Sequence, residues 1–144
     1  MNELSAKLQF FIDLSIIESK IRRRFDVRLG INGVGLDDYI ILHVLNKARN
    51  HQMERVELAK QVGISTTDLT RKLPKLEKIG LIEREDSPVD IKKSKVRLTN
   101  NGKKVHGYAT ESAQEKAIDL FPFKKVKEME TLIDALNSIN GIKS

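Results

Sequence analysis

The stretch that decides the fold covers residues 55–104 and reads RVELAKQVGISTTDLTRKLPKLEKIGLIEREDSPVDIKKSKVRLTNNGKK. Its first apolar residues have the spacing of one side of a short helix: Val56, Leu58, Ala59 and Val62. Gly63 is suited to end that helix, because glycine readily adopts the left-handed backbone found at many helix termini. Ser65 has the character of an N-cap and Asp68 follows at capping-box spacing, so a second helix is predicted to begin here.

The second helix is predicted to have an apolar side and a polar side. On a helical wheel of about 100° per residue, the apolar side holds Leu69, Leu73, Leu76 and Gly80. The polar side holds Thr67, Arg71, Pro74 and Lys78, flanked by Thr70 and Lys75. Such a helix can pack on a core and enter a DNA major groove at the same time. Pro74 is predicted to kink the helix or to end its regular part. Two interpretations stay open: a tolerated kink near the helix end, or base reading confined to residues 66–71.

Two short strands are predicted after this helix, at residues 81–84 and 94–98, with a polar turn around Ser87 and Pro88 between them. The returning arm, residues 91–97, holds four cations and no acid: Lys92, Lys93, Lys95 and Arg97. A basic hairpin in this position suits DNA phosphates or a minor groove, and a solvated loop with incidental lysines is the alternative. Helix, turn, helix, strand, hairpin and strand follow one another in the order of a winged helix-turn-helix module.

Positive charge is concentrated in the same region. Residues 54–105 hold 13 Lys and Arg against 8 Asp and Glu, which gives +5 of the net +6 of the chain. This concentration favours a polyanion, and double-stranded DNA is the predicted partner. The residues predicted to contact DNA are Ser65, Thr66, Thr67, Thr70, Arg71, Lys75, Lys92, Lys93 and Lys95.

The rest of the composition argues against other functions. A chain of 144 residues with 40% hydrophobic content supports one globular unit, and the lack of cysteine excludes disulfides and thiolate metal sites. His43, His51 and His106 show no metal-ligand spacing, so no metal site is predicted. We find no paired carboxylates in an apolar setting, no nucleophile motif and no Gly-rich phosphate loop, and we expect neither an enzyme nor a cofactor.

The apolar run at 39–45 is too short to span a membrane and no signal peptide is apparent, so a cytoplasmic location without membrane association is expected.

Both ends of the chain are predicted to be helical and to serve dimerisation. Apolar side chains cover well over half the circumference of a helix at 3–27, which is more than one core-facing stripe requires. A middle helix is capped by Thr99, runs towards Leu120 and breaks near 121–123. The last helix repeats apolar residues at 3-4-3 spacing. The predicted dimerisation residues are Leu4, Leu8, Phe11, Val126, Met129, Ile133 and Leu136. A monomer that folds these helices back on itself is the alternative. The run of three arginines at 22–24 is interpreted as a solvated helix end, and a second phosphate contact is the alternative.

The order of these elements resembles the multiple-antibiotic-resistance regulator (MarR) family over nearly the whole chain. Three motifs carry the resemblance: Val34-x-x-x-Asp38-Tyr39-x-Ile41-Leu42-x-x-Leu45, Leu76-Glu77-Lys78-x-Gly80-Leu81-Ile82 and Leu98-Thr99-x-x-Gly102. The implied fold is mainly α with a small β-wing. We divide the chain into an N-terminal dimerisation helix and linker at 1–33, a winged helix-turn-helix DNA-binding domain at 34–104 and C-terminal dimerisation helices at 105–144, all in one structural unit.

The resemblance also implies a function. Members of this family are homodimers on pseudo-palindromic operators, usually repressors, and are often released by a small aromatic or anionic effector bound between the module and the dimerisation helices. One departure concerns the wing tip, where the family typically has Asp-x-Arg and this chain has Asp90-Ile91-Lys92. Lysine lacks the fork of donors that an arginine offers to a minor groove. Ile40 stands where zinc-sensing members carry histidine. A winged-helix protein–protein adaptor and a non-specific architectural DNA-binding protein are the alternative functions.

Overall fold

The computed structural model describes residues 4–90 and 93–141. Six α-helices lie within these residues: α1 (Ala6–Leu29), α2 (Leu36–Lys47), α3 (Arg55–Val62), α4 (Thr66–Lys78), α5 (Asn100–Leu120) and α6 (Val126–Ile139). Three short strands accompany them: β1 (Gln52–Glu54), β2 (Ile82–Glu85) and β3 (Lys95–Leu98). The predicted fold class, mainly α with a small β-wing and with helices at both ends, is confirmed.

The strands form one antiparallel sheet in the order β1-β3-β2. β3 is therefore the central strand, and its residues have neighbours on both sides. β2 and β3 each begin one residue later than predicted. β1 is absent from our sequence-based prediction, because a strand of three residues carries too few positions to show an alternating pattern.

The hydrophobic core lies where α2, α3, α4 and α5 meet the sheet. Its fully buried large side chains are Leu29, Ile41, Leu42, Leu45, Leu58, Leu69, Leu73, Leu76, Ile82, Val96 and Leu98. Full burial of one such side chain stabilises the fold by about 1.5–3 kcal/mol relative to leaving it exposed. Because residues alternate along a strand, β3 directs Val96 and Leu98 into the core and leaves Lys95 and Arg97 on the surface.

Other differences from the prediction have local causes. The first helix begins at Ala6 behind an N-cap at Ser5 and extends to Leu29, beyond the predicted end; residue 3 lies outside the described residues. Gly80 does not share the buried side of α4, because α4 ends at Lys78 and Gly80 makes a left-handed turn with a φ of 78°. α4 runs through Pro74 as one helix, so the proline does not end it.

The two terminal helices contribute little to the core. Leu29 is the one buried residue of α1, and none of the α6 residues, all of which are described, is buried. Both helices expose many large apolar side chains: Leu8, Phe10, Phe11, Leu14, Ile16, Ile17 and Val27 on α1, and Val126, Leu132, Ile133, Leu136 and Ile139 on α6. Among the helices of the described residues, none combines the length and the apolar character that crossing a bilayer requires.

Candidate nucleic-acid interface

Helix α4 presents a polar ridge to solvent while three leucines hold it on the core. The Oγ of Ser65 accepts a hydrogen bond from the Asp68 amide at 3.0 Å, and Gly63 makes the preceding turn with a φ of 84°. Both local predictions, the N-cap and the glycine turn, are therefore confirmed. Leu69, Leu73 and Leu76 are fully buried, and the opposite side exposes Thr67, Arg71, Pro74 and Lys78.

Arg71 is the most prominent cation of this ridge. Its side chain is 77% exposed, and within the described residues its ion pairing is limited to a long contact of 3.8 Å with Asp68. Thr66 and Thr70 lie half-buried on the flank. The Thr70 hydroxyl donates to the Thr66 carbonyl at 2.8 Å, so its oxygen can act towards a ligand only as an acceptor.

Lys72 and Lys75 point away from the ridge, towards acids on α2. The Lys75 Nζ lies 2.8 Å from Asp38 Oδ2, and the Lys72 Nζ lies 3.1 Å from Asp37 Oδ2. The prediction that Lys75 contacts DNA did not include this ion pair, because a helical wheel shows which side of a helix is polar but not which neighbour that side meets.

The wing holds its exposed cations beside acids. Residues 91–97 contain no acid, yet the strand register places Lys95 between Glu54 of β1 and Glu85 of β2. Arg97 forms an ion pair with Glu83 of β2. Lys93 is exposed and makes no ion pair within residues 4–90 and 93–141, although Glu85 and Asp86 line the same surface depression. The predicted contact Lys92 lies outside the described residues. The positive charge of this arm is therefore partly offset in space.

A buried arginine that sequence analysis did not single out ties the wing to the helix-turn-helix. Arg55, the first residue of α3, is 6% exposed. Its backbone N–H donates to the Ser94 carbonyl at 2.8 Å, and its guanidinium lies 3.4 Å from Asp86. Ser94 is fully buried, and its Oγ accepts from the Ser87 amide at 3.4 Å. Both arms of the wing are thus fixed relative to the start of α3.

Thr99 and Gly102 join the wing to α5. The Thr99 hydroxyl accepts from the Gly102 amide at 2.9 Å and donates to the Gly80 carbonyl at 2.6 Å, so its predicted N-cap role is confirmed. Gly102 is buried against the start of β2 and the end of β3. A Cβ at this position would lie 2.6 Å from the Leu98 Cδ1 atom and closer still to the Leu81 carbonyl oxygen. A residue with a side chain therefore cannot fit without displacing the backbone.

A stacked aromatic cluster connects α2 to α5. His43 Nδ1 lies 3.1 Å from His106 Nε2, the Tyr39 ring stacks on both imidazoles, and the Tyr39 hydroxyl lies 2.8 Å from the hydroxyl of Thr110. Burial lowers the pKa of both histidines below the ordinary value of 6.5; the charge of Lys47 adds to this effect at His43, and His43 adds to it at His106. Sequence analysis treated these histidines as unrelated, because 63 residues separate them. Among the described residues, no group of three or more His, Asp and Glu side chains is arranged to hold a metal ion.

The arginine run at 22–24 is not a helix end. α1 continues to Leu29, and Arg22 bonds to Glu18 at 2.8 Å and to Asp37 of α2. Arg23 and Arg24 instead line an open groove of about 570 Å³ where α1 and the turn after it face α5. The other residues of this groove are Lys20, Val27, Arg28, Ile31 and Lys116. It combines five cations with two exposed apolar side chains, which suits an anion that has an apolar body.

The residues predicted to serve dimerisation lie on the terminal helices, except Leu4, which precedes the N-cap of α1. Leu4, Leu8, Phe11, Val126, Ile133 and Leu136 are exposed, and Met129 is half-buried. Large apolar side chains at this density are unusual on the surface of a monomer.

Taken together, the turn between α3 and α4, the exposed ridge of α4 and the wing define a protein of the winged helix-turn-helix class. Comparisons with known proteins agree. Residues 37–94 match the model of the MarR family. The chain is 29% identical over 102 residues to the HTH-type transcriptional regulator PrsX of Escherichia coli, a match that covers 60% of this chain and 61% of PrsX. The chain thus spans less than two thirds of the length of that relative.

Solved structures of similar fold cover more of the chain. The transcriptional regulator BldR of Sulfolobus solfataricus superimposes with a TM-score of 0.80 at 26% identity, over 96% of this chain and 97% of BldR. Sco3205, a MarR family regulator of Streptomyces coelicolor solved in complex with DNA, superimposes with a TM-score of 0.75 at 21% identity, over 96% of this chain and 89% of Sco3205. The match of residues 37–94 to the MarR family model confirms the resemblance inferred from the sequence, and the solved structures agree in fold.

Proposed function

We propose that this protein is a homodimeric, sequence-specific DNA-binding transcriptional regulator that represses genes by occupying a pseudo-palindromic operator. The observation that carries this proposal is the two-sided character of α4. Three buried leucines fix its orientation on the core, and its opposite side exposes Thr67 and Arg71. A helix held in this way can enter a major groove without giving up its packing.

Within this proposal the ridge and the wing have different roles. Arg71 has the donor fork and the exposure needed to contact base edges, and Ser65, Thr66 and Thr67 lie at the N-terminus of α4, which favours a phosphate. Lys93 is an exposed point charge on the wing and is assigned to the phosphate backbone.

We assign the exposed apolar surface of α1 and α6 to a second copy of the chain. The two helices carry both ends of the chain and expose twelve large apolar side chains between them. A symmetric pair would bury these surfaces and present two recognition helices to successive major grooves. Sedimentation of the Ile133→Glu variant should show loss of the dimer. Thr131→Glu, on the opposite side of α6, is the matched control, and an unchanged dimer in both variants would exclude α6 from the interface.

The open basic groove on α1 is the proposed effector site. Arg23, Arg24 and Lys116 can hold a carboxylate, and Val27 and Ile31 offer apolar contacts to an aromatic ring. Aromatic carboxylates such as salicylate should therefore weaken DNA binding, and Arg24→Gln should reduce that effect. No response across a panel of aromatic acids would indicate a regulator that needs no ligand.

Selection of duplexes from a random-sequence library tests the proposed function. The wild-type protein should enrich a pseudo-palindromic sequence and bind it at least about a thousandfold more tightly than a scrambled duplex. Binding of equal strength to all duplexes would indicate an architectural protein, and no DNA binding at low salt would indicate a protein–protein adaptor.

A further inference from the structure

The N-terminus of α2 carries two adjacent carboxylates that meet helix α4. Asp38 is the more buried, with its side chain 9% exposed. Its Oδ2 atom accepts from the Gly35 amide at 2.9 Å, which caps α2, and from the Lys75 Nζ at 2.8 Å. One carboxylate therefore fixes the start of α2 and the position of α4 together.

Asp37 makes a parallel connection. Its Oδ2 accepts from the Lys72 Nζ at 3.1 Å, and its Oδ1 pairs with Arg22 of α1. Burial by itself raises the pKa of Asp37. The hydrogen bond from Lys72 and the charges of Arg22 and Lys72 together lower it by more than burial raises it, so the pKa lies below the ordinary value of 3.8. The carboxylate is thus held in its ionised form by cations on two other helices.

The burial of the Asp38–Lys75 pair is unequal. The Lys75 side chain is 59% exposed, whereas Asp38 is almost fully buried. If Lys75 turned to a DNA phosphate, it would keep a solvated charge, but Asp38 would be left as a buried and unpaired anion. Breaking a buried pair on one side is costly, because the remaining charge has lost both water and partner. This asymmetry favours a lysine that stays on Asp38 when DNA is bound.

We propose that Asp37 and Asp38 are positioning residues that set the orientation of α4 through Lys72 and Lys75, and that these two lysines do not contact DNA phosphates. The inference rests on the proposed function, because it concerns how the recognition helix is aimed at bases. It assigns two of the three lysines of α4 to ion pairs within the protein rather than to the nucleic acid. Specificity then depends on residues that never touch the operator.

The salt dependence of DNA binding separates positioning from contact. Each phosphate contact contributes about −0.9 to the slope of log K against log salt, so removing one contact from each half of a dimer flattens the slope by about 2. Lys75→Gln should leave the slope unchanged, lower affinity for the selected duplex about tenfold and leave the scrambled duplex nearly unaffected. Lys93→Gln, assigned to a phosphate, is the control that should flatten the slope and weaken both duplexes alike.

A double variant tests the pairing itself. Asp38→Asn combined with Lys75→Gln leaves no buried charge unpaired, so it should recover part of the preference that Lys75→Gln loses. If circular dichroism shows that Asp38→Asn lowers the folded population, Lys72→Gln serves as a second test. Its partner Asp37 is half-buried, so its effect on the preference for the selected duplex should be smaller. The inference would be overturned if Lys75→Gln flattened the slope of log K against log salt. It would also be overturned if the affinity losses of the two single variants simply added in the double variant. If the wild-type protein prefers no duplex, the proposed function has failed instead.

Discussion

Replacing Gly102 with alanine should destabilise the protein by disturbing the junction between the wing and α5. The new Cβ would lie 2.6 Å from the Leu98 Cδ1 atom, where ordinary contacts begin near 3.4 Å, and it would also press on the Leu81 carbonyl oxygen. That oxygen accepts the Thr99 N–H at 3.1 Å, so the required shift weakens this hydrogen bond as well. Overpacking costs about 1–3 kcal/mol and the hydrogen bond about 1, while alanine regains about 1 in helix propensity. The net loss should be about 1–3 kcal/mol.

Thermal unfolding at fixed protein concentration measures this effect. A loss of this size should lower the Tm by about 4–12 °C in a chain of this length. Gly107→Ala lies on the same helix with nothing within 4 Å of its Cβ, and it should be neutral or stabilising by about 0.5–1 kcal/mol. Equal Tm values for the two variants would refute the close packing at Gly102.

Three further predictions follow from the site. Arg71→Ala should cost about 1–3 kcal/mol on the selected duplex and less on a scrambled one; an equal loss on both, measured by fluorescence anisotropy, would mean that Arg71 contacts phosphate alone. Lys93→Gln in both wings should flatten the salt slope by about 2, and an unchanged slope would remove the wing from the interface. Because the folded-state pKa values of His43 and His106 lie below 6.5, the unfolded chain binds more protons as the pH falls below that value, and the free energy of unfolding should decrease. His43→Asn should reduce this dependence in urea titrations, and an equal dependence on pH in the variant and the wild-type protein would contradict it.

The features that could be predicted from the sequence are those that neighbouring residues determine. Gly63, Ser65 and Thr99 act through hydrogen bonds or backbone angles within a few residues, and their roles follow from residue type and position. The buried leucines of α4 follow from helical periodicity alone. These local rules were enough to predict the order of elements from α3 to α6 and the side of α4 that faces solvent.

The missed features all join distant parts of the chain. Asp38 and Lys75 are separated by 37 residues, and the two histidines by 63. Lys95 appeared to lie in a purely basic arm, because its glutamate neighbours belong to two other strands, one of which is too short to predict. A helical wheel or a charge count shows that a cation is on the surface, but the tertiary fold decides whether that cation already forms an ion pair with an acid.

Hydroxyl-radical footprinting on the selected duplex tests the central claim most directly, because it reports both contact with DNA and the symmetry of that contact. The wild-type protein should protect two half-sites whose centres lie about one helical turn, 10–10.5 base pairs, apart, and Arg71→Ala should lose this protection at the same protein concentration. Uniform protection along the whole duplex, or a footprint that Arg71→Ala leaves unchanged, would contradict a dimer that reads its operator through α4.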